Sequence, residues 1–280
     1  MELEKSSNKA KKSYEVKWPM ATREKKVFVL TGEGIECEKE SKRFFSLMDC
    51  VQTCEFLPIY DFLDLEQLQK RSLNSGDLIF IPGGFSFADH YGAGKLLAHK
   101  IAQSGVLDWC FEKGVDFMGV CNGFQILVAL GLFGDKTRLE KNQPLWGRSR
   151  FINRWVELES NLLEKESDEN GVIRLPVRHG EGRLNWDKDP SLNIRSVLCY
   201  SDMSFCNGSS ENAAALFRPI KNSFVCGMMP HPEVAWSLQH DPDKIAVDAL
   251  PRFRAKYTGP YGDGLKFMHA LFLEMERNRS

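Results

Sequence analysis

No apolar stretch in this 280-residue chain is long enough to cross a bilayer, which argues against a membrane-spanning helix. The first two dozen residues are rich in Lys, Glu, Ser and Asn and lack the apolar centre of a secretory signal. Residues 1–24 are therefore expected to form a flexible, solvated extension ahead of one large domain over 25–280. Charge of one sign is also lacking. The net charge of -1 gives no ground for a nucleic acid or anionic-membrane partner. The eight cysteines, at 37, 50, 54, 110, 121, 199, 206 and 226, include no Cys-x-x-Cys pair, so no metal site is expected. Their scatter fits a reduced, cytoplasmic setting. No Gly-x-x-x-x-Gly-Lys-Ser/Thr loop cradles a phosphate, and no internal repeat is visible. What is present is ordinary for a soluble globular protein: 42% hydrophobic and 27% charged residues, and a chain long enough to bury a sizeable core.

The most informative stretch is Met118-Gly119-Val120-Cys121-Asn122-Gly123-Phe124-Gln125-Ile126-Leu127. An apolar run ends at a cysteine between small residues, and a helical pattern begins at once. That spacing predicts a sharp strand-to-helix turn with the sulfur near a helix N-terminus, whose partial positive charge suits a nucleophilic thiolate. The arrangement is the nucleophile elbow of α/β-hydrolases with cysteine in place of serine. Taken alone, the segment fits a buried, inert core cysteine equally well. Far downstream, Gly227-Met228-Met229-Pro230-His231-Pro232-Glu233 follows another apolar run. A thiol nucleophile needs a base and the base needs an orienting group; His231 and Glu233 offer both. Two positions apart in extended chain, they can share a face.

Four blocks together make the chain resemble the class I (triad-type) glutamine amidotransferases, and within them the glutaminase subunits of phosphoribosylformylglycinamidine synthase. They are Ile81-Pro82-Gly83-Gly84-Phe85-Ser86-Phe87-Ala88-Asp89, the elbow, Arg178-His179-Gly180-Glu181-Gly182-Arg183, and Gly227 to Glu233; Asn207-Gly208-Ser209 is a weaker fifth. The resemblance implies a Cys121–His231–Glu233 triad that hydrolyses the side-chain amide of glutamine. It implies an oxyanion hole from the backbone N–H groups of Asn122 and Gly84, and a substrate contact from Gln125, one helical turn beyond Cys121. It places His179, Glu181 and Arg183 in a loop near the pocket or the synthetase interface. It also implies that ammonia passes to a PurL-type synthetase subunit, in some systems with a small PurS-type subunit, and that ATP and Mg are used by that partner, with no cofactor in this chain. Two departures stand out. Ser86-Phe87-Ala88-Asp89-His90 replaces the more usual Ser-Tyr-Gly-Asp-Tyr, and Val234 follows Glu233 where Arg is common.

Alternation of strand-like and helix-like segments up to Leu130 argues for an α/β fold, a mostly parallel central sheet flanked by helices, flavodoxin-like. Strands are expected at 27–30, 55–60, 77–81 and 117–120. Helices are expected at 38–49, at 96–103 and 107–112, from Gln125, and in a short segment capped by Asp64. Past Phe151, short strands at 154–158, 172–177, 197–200, 213–217 and 224–228 suggest added antiparallel strands, and 264–277 reads as an amphipathic helix. In such sheets the functional crevice lies beyond the carboxyl ends of the strands, where three of the blocks should meet. Two rival readings remain at this stage: another cysteine hydrolase on a related fold, such as a peptidase or chaperone-like protein, and a non-catalytic scaffold. The distant Pro-His-Pro-Glu argues against the first, and the intact Cys121, His231 and Glu233 against the second.

Overall fold

The chain is described here by a computed structural model covering residues 24–143, 151–164, 171–186, 188–201, 207–237 and 262–279. The expected extension, apart from Glu24, and Cys206 lie outside the described residues. Near-continuous apolar runs make β1 (Lys25–Thr31), β3 (Leu78–Ile81) and β4 (Asp116–Val120), and every residue of β3 and β4 is buried. Strands of this kind need cover on both faces, and parallel pairing through helical crossovers supplies it. With β2 (Val51–Pro58), β5 (Arg138–Lys141), β6 (Ile152–Glu159), β7 (Val172–His179), β8 (Glu181–Asn185), β9 (Arg195–Tyr200), β10 (Ala213–Ile220) and β11 (Ser223–Met228), the described residues build two sheets. The larger has nine strands in the order β2-β1-β3-β4-β11-β10-β9-β6-β7; the smaller pairs β5 with β8. Pairing is parallel from β2 through β11 and antiparallel from β11 onward.

Helices α1 (Glu38–Phe45), α2 (Ile59–Leu63), α3 (Leu65–Gln69), α4 (Lys95–Ser104), α5 (Val106–Lys113), α6 (Asn122–Ala129), α7 (Asn161–Glu164) and α8 (Asp263–Arg279) complete the described elements. Helices α1 and α8 meet through Phe45 and Phe272, stacked 6.3 Å apart, while Phe62 of α2 and Phe111 of α5 pack on Phe117 of β4. No helix among the described residues is long and apolar enough to cross a membrane.

Several boundaries differ from expectation, those of α1 and β2 among them. Helix α1 stops at Phe45 because Ser46, Leu47 and Met48 turn back on the carbonyls of Lys42, Phe44 and Phe45, which frees the chain to start β2 at Val51. Strand β2 is an edge strand with mixed exposure, so its first half carries no apolar signature. It ends at Pro58, and the apolar Ile59 belongs to α2, where it is buried beside Phe62. Asp64 caps α3 as expected, accepting from the N–H groups of Glu66 (2.9 Å) and Gln67 (3.3 Å).

Candidate active site

Strands β4 and β11 lie side by side, with Val120 opposite Met228. Both run in the same direction, so the residues that follow them emerge at one edge of the sheet. Cys121 takes φ 53° and ψ -107°, a strained backbone for a residue with a Cβ, and forms the N-cap of α6. Its N–H donates to the carbonyl of Met228 (2.8 Å), and its carbonyl accepts from Gln125 N–H (3.0 Å). The flanking glycines make the turn possible by close approach. A Cβ on Gly119 would lie 2.4 Å from the carbonyl of Gly123, and one on Gly123 would lie 2.0 Å from the carbonyl oxygen of Ile81. The closeness they permit is between elbow and neighbouring strands.

After β11 the chain turns through Pro230, and His231 N–H donates to Pro176 of β7 at 2.9 Å. His231 is 4% exposed and Glu233 1%. His231 Nδ1 lies 2.7 Å from Glu233 Oε1. The ring's Nε2 is buried with no hydrogen bond of ordinary geometry; the Cys121 thiol, which donates to the Arg178 carbonyl at 3.7 Å, is near enough to act on the ring. Burial works to lower the imidazole pKa. The Glu233 carboxylate and hydrogen bonding to Cys121 and Glu233 outweigh it and push the value up to about 10. A side chain at Gly83 would meet His231 Cε1 at 2.9 Å, Cys37 Sγ at 3.4 Å and Cys121 Cβ at 3.5 Å. Only a bare Cα fits between these three groups.

Gly84 has φ 149°, and a Cβ there would strike the carbonyl of Gly34 at 2.4 Å. The bonds that pair this segment with Ile35 run through its neighbours, from Phe85 N–H to Gly34 (2.8 Å) and from Glu36 N–H to Gly83 (3.2 Å). The N–H of Gly84 is thus left unused by the pairing. The N–H of Asn122, first in α6, is among those that no helical carbonyl can reach.

Cys121 and His231 open onto a cavity of about 570 Å³ whose wall includes Gly84, Gln125, His179 and Glu181. Of the other residues expected here, Glu233 and the Asn122 side chain lie behind the wall, and Arg183 is not part of it. Arg183 pairs with Glu140 across the small sheet, and its Nε donates to the Lys141 carbonyl (3.3 Å). The segment around His179 and Glu181 was expected as a loop but forms the end of β7 and the start of β8. His179 is 3% exposed, accepts from Asn142 Nδ2 (3.1 Å) at Nδ1, and packs on Gly182. Burial, with the nearby His231, drives its pKa down to about 3, so this imidazole is neutral. Asn207 and Ser209 brace β8, donating to the Gly182 carbonyl (3.0 Å) and accepting from Leu184 N–H (3.0 Å).

The wall also includes Glu36, Cys37 and Arg178, to which the sequence assigned no role at the site. Arg178 stands next to His179 in the Arg178–Arg183 block. The Cys37 sulfur lies within 4.8 Å of ligand atoms of His231 and Glu233. Burial, with the charges of Glu233 and Cys121, raises its pKa to about 12, which keeps it a thiol.

Residues 24–246 match the CobB/CobQ-like glutamine amidotransferase domain. The PurQ subunit of phosphoribosylformylglycinamidine synthase from Methanococcus maripaludis is 30% identical over 234 residues, spanning 74% of this chain and 81% of that protein. The Rhizobium johnstonii PurQ is 38% identical over 168 residues, spanning 56% of this chain and 70% of that protein. Among solved structures, a chain of PurLQS from Thermotoga maritima superposes with a TM-score of 0.62 at 27% identity, covering 89% of this chain and 97% of that one. The chain belongs to the CobB/CobQ-like glutamine amidotransferase family, as a member of its PurQ-like glutaminase type.

Proposed function

We propose that this chain is the glutaminase subunit of a phosphoribosylformylglycinamidine synthase in de novo purine biosynthesis. One observation carries the reading: in a chain of this family, the thiol of a strained elbow faces a buried imidazole backed by a carboxylate. The sulfur of Cys121 attacks the side-chain amide carbon of glutamine. The oxyanion is met by the N–H groups of Asn122 and Gly84, donors that need no reorganisation during the step. His231, holding its proton at neutral pH, protonates the departing ammonia, leaving a γ-glutamyl thioester. The imidazole then takes a proton from water, which attacks the thioester and releases glutamate and the Cys121 thiolate, with the proton back on the ring. Glu233 fixes the ring tautomer and stabilises its charged form throughout.

Arg178 and the carboxylates of Glu36 and Glu181 on the cavity wall offer charges of both signs to the zwitterionic end of the substrate. Ammonia passes to a PurL-type synthetase, with a PurS-type subunit as in the Thermotoga assembly, and that partner uses ATP and Mg. The setting is cytoplasmic. The test is glutamine-dependent formation of formylglycinamidine ribonucleotide by this chain mixed with a PurL-type synthetase. Stimulated glutamate release that disappears with Cys121→Ala or Cys121→Ser is expected. A mixture that works with ammonium salts and never with glutamine would contradict the proposal.

A further inference from the structure

The loop after Gly84 is strained. Phe87, Ala88, Asp89 and Tyr91 have φ values of 51°, 54°, 50° and 67°. Each such residue costs on the order of 1 kcal/mol, so the run persists only because its surroundings hold it. One holder is a single buried side chain. Asn122, 1% exposed, accepts from Ser86 N–H through Oδ1 (3.0 Å). Its Nδ2 donates to Asp89 Oδ1 (3.1 Å) and to Gln125 Oε1 (3.0 Å). Gln125 in turn donates from Nε2 to the Glu181 carbonyl (2.7 Å). A chain of polar contacts thus joins the loop after β3, the elbow helix and the β7–β8 turn.

We propose that the Asn122 side chain is a positioning residue, a carboxamide bolt that locks the Gly84–Tyr91 loop to the Cys121 elbow and fixes the orientation of the Gln125 amide. The proposal rests on the glutaminase reading. Both oxyanion donors assigned there flank this bolt: Asn122 N–H belongs to the same residue, and Gly84 lies two positions before Ser86. The chemistry calls for an amide in particular. The Ser86 N–H needs an acceptor, whereas Asp89 and Gln125 Oε1 each need a donor; a hydroxyl has one O–H to give, and a short carboxamide supplies two N–H donors beside its acceptor. With Oε1 turned to Asn122 and Nε2 to Glu181, the Gln125 amide cannot flip without losing two bonds. Its remaining N–H and lone pair are then available to the cavity.

The test compares kcat and KM for glutamine in the complex with a PurL-type synthetase. Asn122→Ala is expected to lower kcat about ten- to a hundredfold, with a smaller change in KM, because the oxyanion donors act in the transition state. Asn122→Asp keeps the acceptor but sets a carboxylate against Asp89, and kcat falls at least as far. Exchanging the pair, Asn122→Asp with Asp89→Asn, restores one amide facing one carboxylate and should recover about tenfold or more over Asn122→Asp alone. If the core variants do not fold, the half-buried Asp89 decides. Asp89→Ala should lower kcat about threefold or more, and Asp89→Asn less, since an amide oxygen still accepts. Rates within twofold of wild type for both alanine variants, or an exchange variant no better than Asn122→Asp, overturn the bolt. A wild-type complex that neither hydrolyses glutamine nor is alkylated at Cys121 overturns the glutaminase reading and the bolt with it, whereas an active wild type with indifferent Asn122 variants overturns the bolt alone.

Discussion

His231 is held between opposing influences: burial favours the neutral ring, and Glu233 with Cys121 favours the cation and prevails. Glu233→Gln removes the largest opposing charge, so the ring should titrate well below 10, a shift that NMR of the ring protons would follow. The same substitution should lower kcat about a hundredfold or more, by loss of tautomer control and charge stabilisation. The native pKa of His231 lies above its ordinary value of 6.5, so the pairing stabilises the fold fully below pH 6.5 and ceases to do so as pH rises through about 10. The stability gap between wild type and Glu233→Gln, read from urea denaturation, should therefore shrink across that window. His179 behaves oppositely. Its native pKa of about 3 lies below 6.5, so the unfolded chain binds the extra proton and stability falls as pH drops from 6.5 toward 3. His179→Gln should flatten that acid slope in the same measurement.

The elbow works as a unit of two strands and a helix start. Its geometry depends on two positions where a methyl group has no room. Gly123→Ala should cost about 1–3 kcal/mol or more, since the new carbon would have to displace the β3 backbone at Ile81. Thermal unfolding would show the loss, and glutamine hydrolysis would fall with it as the Cys121 turn shifts. Elements of this kind were legible in the sequence because their causes are local: an apolar run, a small residue, a helix period, the Asp64 cap. The β5–β8 pair was not. Arg138-Leu139-Glu140-Lys141 carries one apolar residue, and its partner strand lies far along the chain. For the same reason the burial of His179 was hidden. It depends on Asn142, which only that distant pairing brings within 3.1 Å. The place of Arg183 was hidden in the same way, since its partner Glu140 lies on the other strand of that pair.

Across the whole molecule, the C-terminal helix is pinned to the base of the central strands. The Arg279 guanidinium pairs with the buried Asp116 of β4, donates to Asn222 O (2.6 Å) and Gly114 O (3.1 Å), and lies 4.9 Å from the Phe224 ring centre. Asp116 also accepts from Phe224 N–H (2.9 Å) at the start of β11. Arg279→Ala should destabilise the chain by about 3–5 kcal/mol by leaving a buried carboxylate short of its partner, as measured by denaturant unfolding. The glutamine site, at the opposite ends of β4 and β11, should keep its kinetics under conditions where the variant is folded. That site is where the account stands or falls, and peptide-mapping mass spectrometry after treatment with a chloroketone analogue of glutamine, with the synthetase partner present, tests it most directly. One adduct is expected, on Cys121, suppressed by excess glutamine, with Cys37 unmodified despite its place beside His231. An adduct on Cys37 instead, or none on Cys121, would contradict it.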